Sequence, residues 1–326
     1  MGLKSRFNYL SRIFAAYILG KKSHLTFWHE KPEVNKVKVN DQLGQYYMTF
    51  FDKTHYPGPF DQDGIPLLDY QGKIGKQYNP IAIAQYGLGH FNLYKQTNEK
   101  KYLELARKQA DWLVNNLEIN QQGVRVWMHH FDWEYRDVLK NPWYSALTQG
   151  NGISLLLRIY KETNNNIYLE TAKEAFKSLV IEIKNGGVLY VDQSKNYWLE
   201  ETIVDPPTHI LNGFFWTLWG IWDYYLVTKD QLVLDFFNLC IKTLKENLKS
   251  FDTGWWSLYE QSHTKMKMLT SRFYHSLHVV QLEVMYLISK DPLFKKYHDK
   301  WNGYQKNKLF IFLSQAYKSI FKIFYY

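Results

Sequence analysis

The sequence predicts a mainly α chain, an incomplete α/α toroid of about four helical hairpins with β-hairpin insertions at one end. Three observations predict it. Polar turns at Thr97, Thr163 and Thr228 recur 66 and 65 residues apart. Around each turn, a helix that is apolar nearly all round precedes one with a single apolar stripe, as an inner helix precedes an outer one. The segments joining one pair to the next are long, alternate apolar and polar residues, and lie beside Gly, the pattern of short strands.

Taken in order, residues 1–43 form a basic extension. Its apolar run at 13–19 is too short to span a bilayer, and no convincing small-residue cleavage site follows it. The toroid domain covers 44–305. Its first pair is a helix over 81–94 and an amphipathic helix starting at Tyr102 and continuing through Ala110, Leu113 and Val114. The second pair is 153–160 with 168–183, and the third is 211–226 with 232–248. The fourth is 274–288 with 293–304. Strand-like alternation at 124–129, 188–191 and 255–259 supplies the insertions. Residues 306–326 form a basic amphipathic C-terminal helix carrying Lys318 and Lys322.

Composition narrows the function. Hydrophobic residues at 46% and charged ones at 22% give a folded domain. Aromatics reach 18%, with 12 Trp and 26 Tyr, and such rings are flat platforms for sugars. A net charge of +9 calls for an anionic partner. Phosphate-cradling glycine loops and nucleic-acid motifs are missing and the lysines are scattered, so no nucleic acid is expected. Acidic polysaccharide and an anionic membrane surface touched by the terminal helices remain. The single cysteine, Cys240, excludes a disulfide framework, reads as a small buried hydrophobe and suits a reducing setting. The chain is therefore expected in the cytoplasm, at the inner face of a membrane, and as a homodimer.

The connections return the chain from each outer helix to the next inner one, so the N-terminal ends of the inner helices should converge. They bring Tyr78 to Pro80, Asn141 to Ser145, the Glu200-Glu201 loop through His209 and Asn212, and Arg272 to His275. Helix N-termini aimed at one cleft favour anions. Glu200 and Glu201 lie on a loop stiffened by Pro206 and Pro207, not within a helix. His275 and His278 are neighbours on a helix face with no third ligand, so no metal and no cofactor is expected.

Several of these stretches, in this order, resemble the D-glucuronyl C5-epimerase family, which converts glucuronic to iduronic acid units within heparan-type polysaccharides. They are 78–88 (beginning Tyr78-Asn79-Pro80 and including Gln85), 143–150 (Trp143-Tyr144-Ser145 to Gln149), Trp198-Leu199-Glu200-Glu201, Leu211-Asn212-Gly213-Phe214, Asp252-Thr253-Gly254 with Tyr259, and Tyr274-His275-Ser276-Leu277-His278. The resemblance implies a catalytic domain of the compact bacterial form. It implies Glu201, Tyr274 and Tyr259 as catalytic residues. It implies Tyr78, Gln85, Trp143, Tyr144, Gln149, Glu200, Asn212, Arg272 and His275 as substrate-binding ones. Two positions depart from the family pattern: Thr202 stands where a catalytic tyrosine is expected and Ser262 where a substrate-binding arginine is expected.

The chemistry implied has physical requirements. The proton next to a carboxylate is weakly acidic, because removing it puts a second negative charge on the group. A cation must therefore hold that carboxylate, and two acid/base groups must face each other across the ring. Glu201 and Tyr274 would be those groups and Arg272 the cation. A lyase, a glycoside hydrolase and a non-catalytic polysaccharide-binding protein are the competing readings.

Overall fold

The computed structural model describes residues 27–28, 30–36, 41–134 and 138–325, so residues 1–26, most of the basic extension expected at 1–43, lie outside the described residues. Eight helices form four hairpins: α1 (Pro80–Thr97) with α2 (Lys100–Asn115), α3 (Ala146–Thr163) with α4 (Asn166–Val180), α5 (Leu211–Thr228) with α6 (Gln231–Asn247), and α7 (Arg272–Ser289) with α8 (Pro292–Tyr304). A ninth helix, α9 (Lys308–Tyr325), follows. The first member of each pair is inner. In α5, Leu211 to Ile221 are all buried, while in α2 only Ala106, Gln109, Ala110 and Leu113 are.

The recurring turn has one construction. Thr97, Thr163, Thr228 and Ser289 end the four inner helices with the hydroxyl donating back to the carbonyl four residues earlier, at 2.9, 2.8, 2.9 and 2.7 Å. The next residue, Asn98, Asn164, Lys229 or Lys290, takes a left-handed conformation with φ between 52° and 58°. The N–H of the residue after that donates to the same hydroxyl oxygen, at 3.2, 3.3, 3.3 and 3.2 Å. That residue is the N-cap of the outer helix, and in three cases (Asn165, Asp230, Asp291) its side chain accepts an N–H of the first turn. One hydroxyl thus closes one helix and positions the start of the next, so the helices run right up to the turn.

The inner helices pack in chain order, α3 against α1 and α5, and α5 against α7, with α2, α4, α6 and α8 outside their partners. Among the described residues α7 does not pack closely on α1, so the ring stays open as expected. The tightest crossing is α3 on α5. A Cβ on Gly150 would lie 2.6 Å from the Thr217 Cα, and one on Gly220 would lie 2.5 Å from the Gly150 carbonyl oxygen, so both positions require glycine.

Toward the C-terminal ends of the inner helices, residues 44–50 close the bundle. Arg158 of α3 and Asp223 of α5 form a fully buried pair, with Nη1 to Oδ2 at 2.5 Å. The Tyr47 hydroxyl donates to Asp223 Oδ1 at 2.6 Å, and Arg158 Nε donates to the Gly44 carbonyl at 3.0 Å. At the opposite end lie the two-stranded ladders: β1 (Leu67–Asp69) with β2 (Lys76–Tyr78), β3 (Glu118–Ile119) with β4 (Arg125–Val126), β5 (Trp133–Glu134) with β6 (Val138–Leu139), and β7 (Leu189–Val191) with β8 (Tyr197–Leu199), all antiparallel. The strand expected at 255–259 is reduced to isolated bridges, Asp252 with Ser257 and Leu258 with Leu269.

Candidate active site

The site is built where α5 begins. Asn79, Ser145 and Ser271 cap α1, α3 and α7 with a side-chain acceptor, but Ile210, the residue before α5, has none to offer. The open first turn of α5 is occupied by Glu201. A Cβ on Gly213 would fall 2.2 Å from Glu201 Oε2, so the carboxyl lies directly on the glycine, and Asn212 Nδ2 donates to the same oxygen at 3.4 Å. Two backbone bonds bring the 257–262 segment alongside. Leu211 N–H donates to the Tyr259 carbonyl at 3.1 Å and Gln261 N–H to the Thr208 carbonyl at 2.8 Å. Glu260, between them, is fully buried and close enough for its charge to act on Glu201.

That environment opposes ionisation. Burial, then the charges of Glu260 and Glu200, raise the Glu201 carboxyl to a pKa of about 8. The Tyr259 and Tyr274 rings meet edge to face at 4.9 Å, with Tyr274 in the first turn of α7. Lys318 reaches in from α9. Its ammonium lies 5.7 Å from the Tyr259 ring centroid and donates to the Leu269 carbonyl at 2.9 Å. Burial and the neighbouring Lys322 lower its pKa to about 7, with Glu260 pulling the other way. Glu201, Glu260, Tyr259, Tyr274, Asn212 and Lys318 thus form one cluster, with a carboxylic acid and an ammonium both titrating near neutrality.

The other expected site residues lie differently. Glu200 is buried and committed to His209, whose Nδ1 is 2.5 Å from Oε1 and whose backbone N–H donates to Oε2 at 3.1 Å, while the imidazole stacks on Trp198. Gln149 is buried with both amide atoms on backbone groups of Trp127 and Ser145. Trp143 stacks on His129 at 3.8 Å and donates to the Phe131 carbonyl. His275 stacks on Trp256 and bonds Ser257 and the Trp301 carbonyl. Burial lowers its pKa to about 4, so it packs as a neutral ring. Gln85 is fully buried within α1, and its amide atoms have no partner among the described residues. Tyr144 donates to the Gly186 carbonyl. Tyr78 is held by Asp61 and stacks near Trp112 of outer helix α2, which keeps it with the outer layer. Arg272 is exposed at the first position of α7. It stands two residues before Tyr274, a spacing that sends the side chains to different sides of a helix.

Glu260 and Lys318 were not singled out by the sequence. Glu260 follows the family tyrosine position directly, which was the available signal. Lys318 had none beyond lying in a basic helix.

The family described as "D-glucuronyl C5-epimerase C-terminus" matches residues 121–303. A D-glucuronyl C5-epimerase of Caenorhabditis elegans is 32% identical over 214 residues, which cover 61% of this chain and 34% of that protein. The chain thus spans about a third of the length of that relative. An uncharacterised protein of Methanocaldococcus jannaschii is 26% identical over 268 residues, 75% of this chain and 85% of that one. Among solved structures, cellobiose 2-epimerase from Bacillus thermoamylovorans superposes with a TM-score of 0.56 at 14% identity, covering 78% of this chain and 68% of that one. A sugar epimerase from a ruminal bacterium gives 0.55 at 14%, covering 79% and 68%. At such identity these structures speak for the fold, a toroid of α-helical hairpins.

Proposed function

The chain belongs to the D-glucuronyl C5-epimerase family, and from that premise we propose that it is a cofactor-independent uronosyl C5-epimerase acting on a glucuronate-containing acidic polysaccharide during its synthesis. A carbohydrate epimerase is the broader statement that family membership supports.

One observation carries the finer reading: a carboxyl at about pKa 8 on the first turn of α5, beside the Tyr259–Tyr274 pair. A base for a weakly acidic C–H bond works best when its own pKa lies near the working pH, and Glu201 meets that condition. Glu201 takes the C5 proton, the electron pair spreads into the uronate carboxylate, and Tyr274 delivers a proton to the opposite face. Solvent then reprotonates the Tyr274 oxygen and deprotonates Glu201. Lys318 is the cation for the developing dianion, a role that the exposed Arg272 is poorly placed to fill. Thr202, in the position of the family tyrosine, is hydrogen-bonded to Thr208 at 3.0 Å and takes no part.

The test is incubation with glucuronate-containing glycans in deuterated water, reading exchange at C5 by NMR. Wild type exchanges, Glu201→Gln and Tyr274→Phe fall by a hundredfold or more on the ~10²–10⁴ scale of acid–base catalysis, and the wild-type rate is bell-shaped in pH with its maximum between about 7 and about 8, because Glu201 must be ionised while Lys318 is still charged. Wild-type exchange in both variants would remove the assignment. A second reading rests on the Glu201–Glu260 pair, since glycoside hydrolysis uses two carboxyl groups. New reducing ends without C5 exchange would select it.

A further inference from the structure

Helix α9 has two faces, and the site uses only the inner one. Ser314 and Phe321 are buried, the Tyr317 hydroxyl donates to the Lys267 carbonyl at 3.0 Å, and Lys318 enters the catalytic cluster. The outer face carries Leu309, Phe312, Leu313, Ile320, Ile323 and Phe324, at 60, 66, 42, 48, 66 and 66% exposure. With the exposed Ala316 between Leu313 and Ile320, their spacing of three and four residues makes one apolar stripe about four turns long. A stripe of this size left open to water is uncommon on a soluble surface. No helix among the described residues is long and apolar enough to cross a membrane.

The charge around the stripe decides what covers it. The two segments that border it, 261–272 and 305–325, contain no Asp or Glu. They expose Lys265, Lys267, Arg272, Lys306 and Lys308. Residues 1–26 are also basic, with Lys4, Arg6, Arg12, Lys21 and Lys22, so that segment does not complement this rim. A second copy of α9 would bring like charges together. An anionic lipid surface complements both features, taking the apolar side chains below its headgroups and the cations at their level.

We propose that α9 is an interfacial helix that seats the protein on an anionic membrane, with its apolar stripe in the lipid and Lys306 and Lys308 at the headgroups. The proposal stands independently of the reaction. Because the opposite face of α9 carries Lys318, it places the catalytic cluster within one helix diameter, about 10–12 Å, of the lipid.

The test is co-sedimentation of the full chain with phosphatidylcholine vesicles, with and without phosphatidylglycerol. Binding is expected on the anionic vesicles and is expected to weaken with salt. The pair Phe312→Glu and Ile323→Glu, at solvent-facing positions that leave folding intact by circular dichroism, should lower partitioning at least tenfold. Lys306→Gln and Lys308→Gln should each lower it by roughly fivefold on anionic vesicles only. Failure to bind either vesicle overturns the proposal. So does binding that the Phe312/Ile323 pair leaves unchanged, since another part of the chain would then be responsible. A dimer seen by light scattering that the same pair dissociates would also overturn it, because a second copy would then cover the face.

Discussion

Glu201 holds its proton where an ordinary glutamic acid has lost it, and this has a thermodynamic signature. In the unfolded chain the carboxyl ionises near 4.5, and in the folded protein near 8. Between those values the folded state binds the extra proton, so stability falls as pH rises through the window. Glu201→Gln removes the ionisation. Its melting temperature should match wild type at pH 4.5 and exceed it at pH 8.5. At about 1.4 kcal/mol for each pH unit of that window, the ceiling is ~5 kcal/mol. Equal stability at both pH values would mean that Glu201 ionises normally. The sequence displayed Glu201 because it adjoins Glu200 before a Pro-Pro break. It hid Glu260, whose proximity depends on two backbone bonds, Leu211 to Tyr259 and Gln261 to Thr208. It also spread binding roles over Gln149, Trp143 and His275, whose polar atoms the fold spends on backbone carbonyls, amides and hydroxyls.

The elements were read most surely where a chemical device repeats. Thr97, Thr163 and Thr228 marked the turns because each hydroxyl serves two helices at once, a local arrangement that a local pattern can report. The ladders were read less well. All eight strands have two or three residues; β4 and β7 show only as the cores of the longer alternations at 124–129 and 188–191, β1, β2, β5 and β6 do not show, and the 255–259 segment pairs only through single bridges. The close contact of α3 with α5 gives a prediction at this scale. Gly150→Ala puts a methyl 2.6 Å from the backbone of Thr217, which no rotamer change relieves. The helices must part, at a cost of about 1–3 kcal/mol or more. Chemical denaturation should show a lower midpoint with an unchanged slope. A variant as stable as wild type would show that α3 and α5 do not cross this closely.

For the molecule as a whole, the Arg158–Asp223 pair is the test of how the ring is held. Arg158→Met leaves Asp223 without its cation in a site with no exposure, and such a loss typically costs ~3–5 kcal/mol. Thermal unfolding of that variant should fall by roughly 5 °C or more, if the chain folds. A melting point within a degree of wild type would mean that the pair is dispensable. Neither residue was legible as a partner of the other, since they lie on different inner helices 65 positions apart. The pair sits thirteen residues into α3 and α5, whereas Glu201 lies against the third residue of α5. At 1.5 Å per residue these are on the order of 15 Å apart along α5. Strength is therefore banked at one end of the same helix that carries the candidate site at the other. Substitutions around Gly213 and Glu260 can therefore alter the candidate site while the far end keeps the ring intact, so the two ends are free to vary separately.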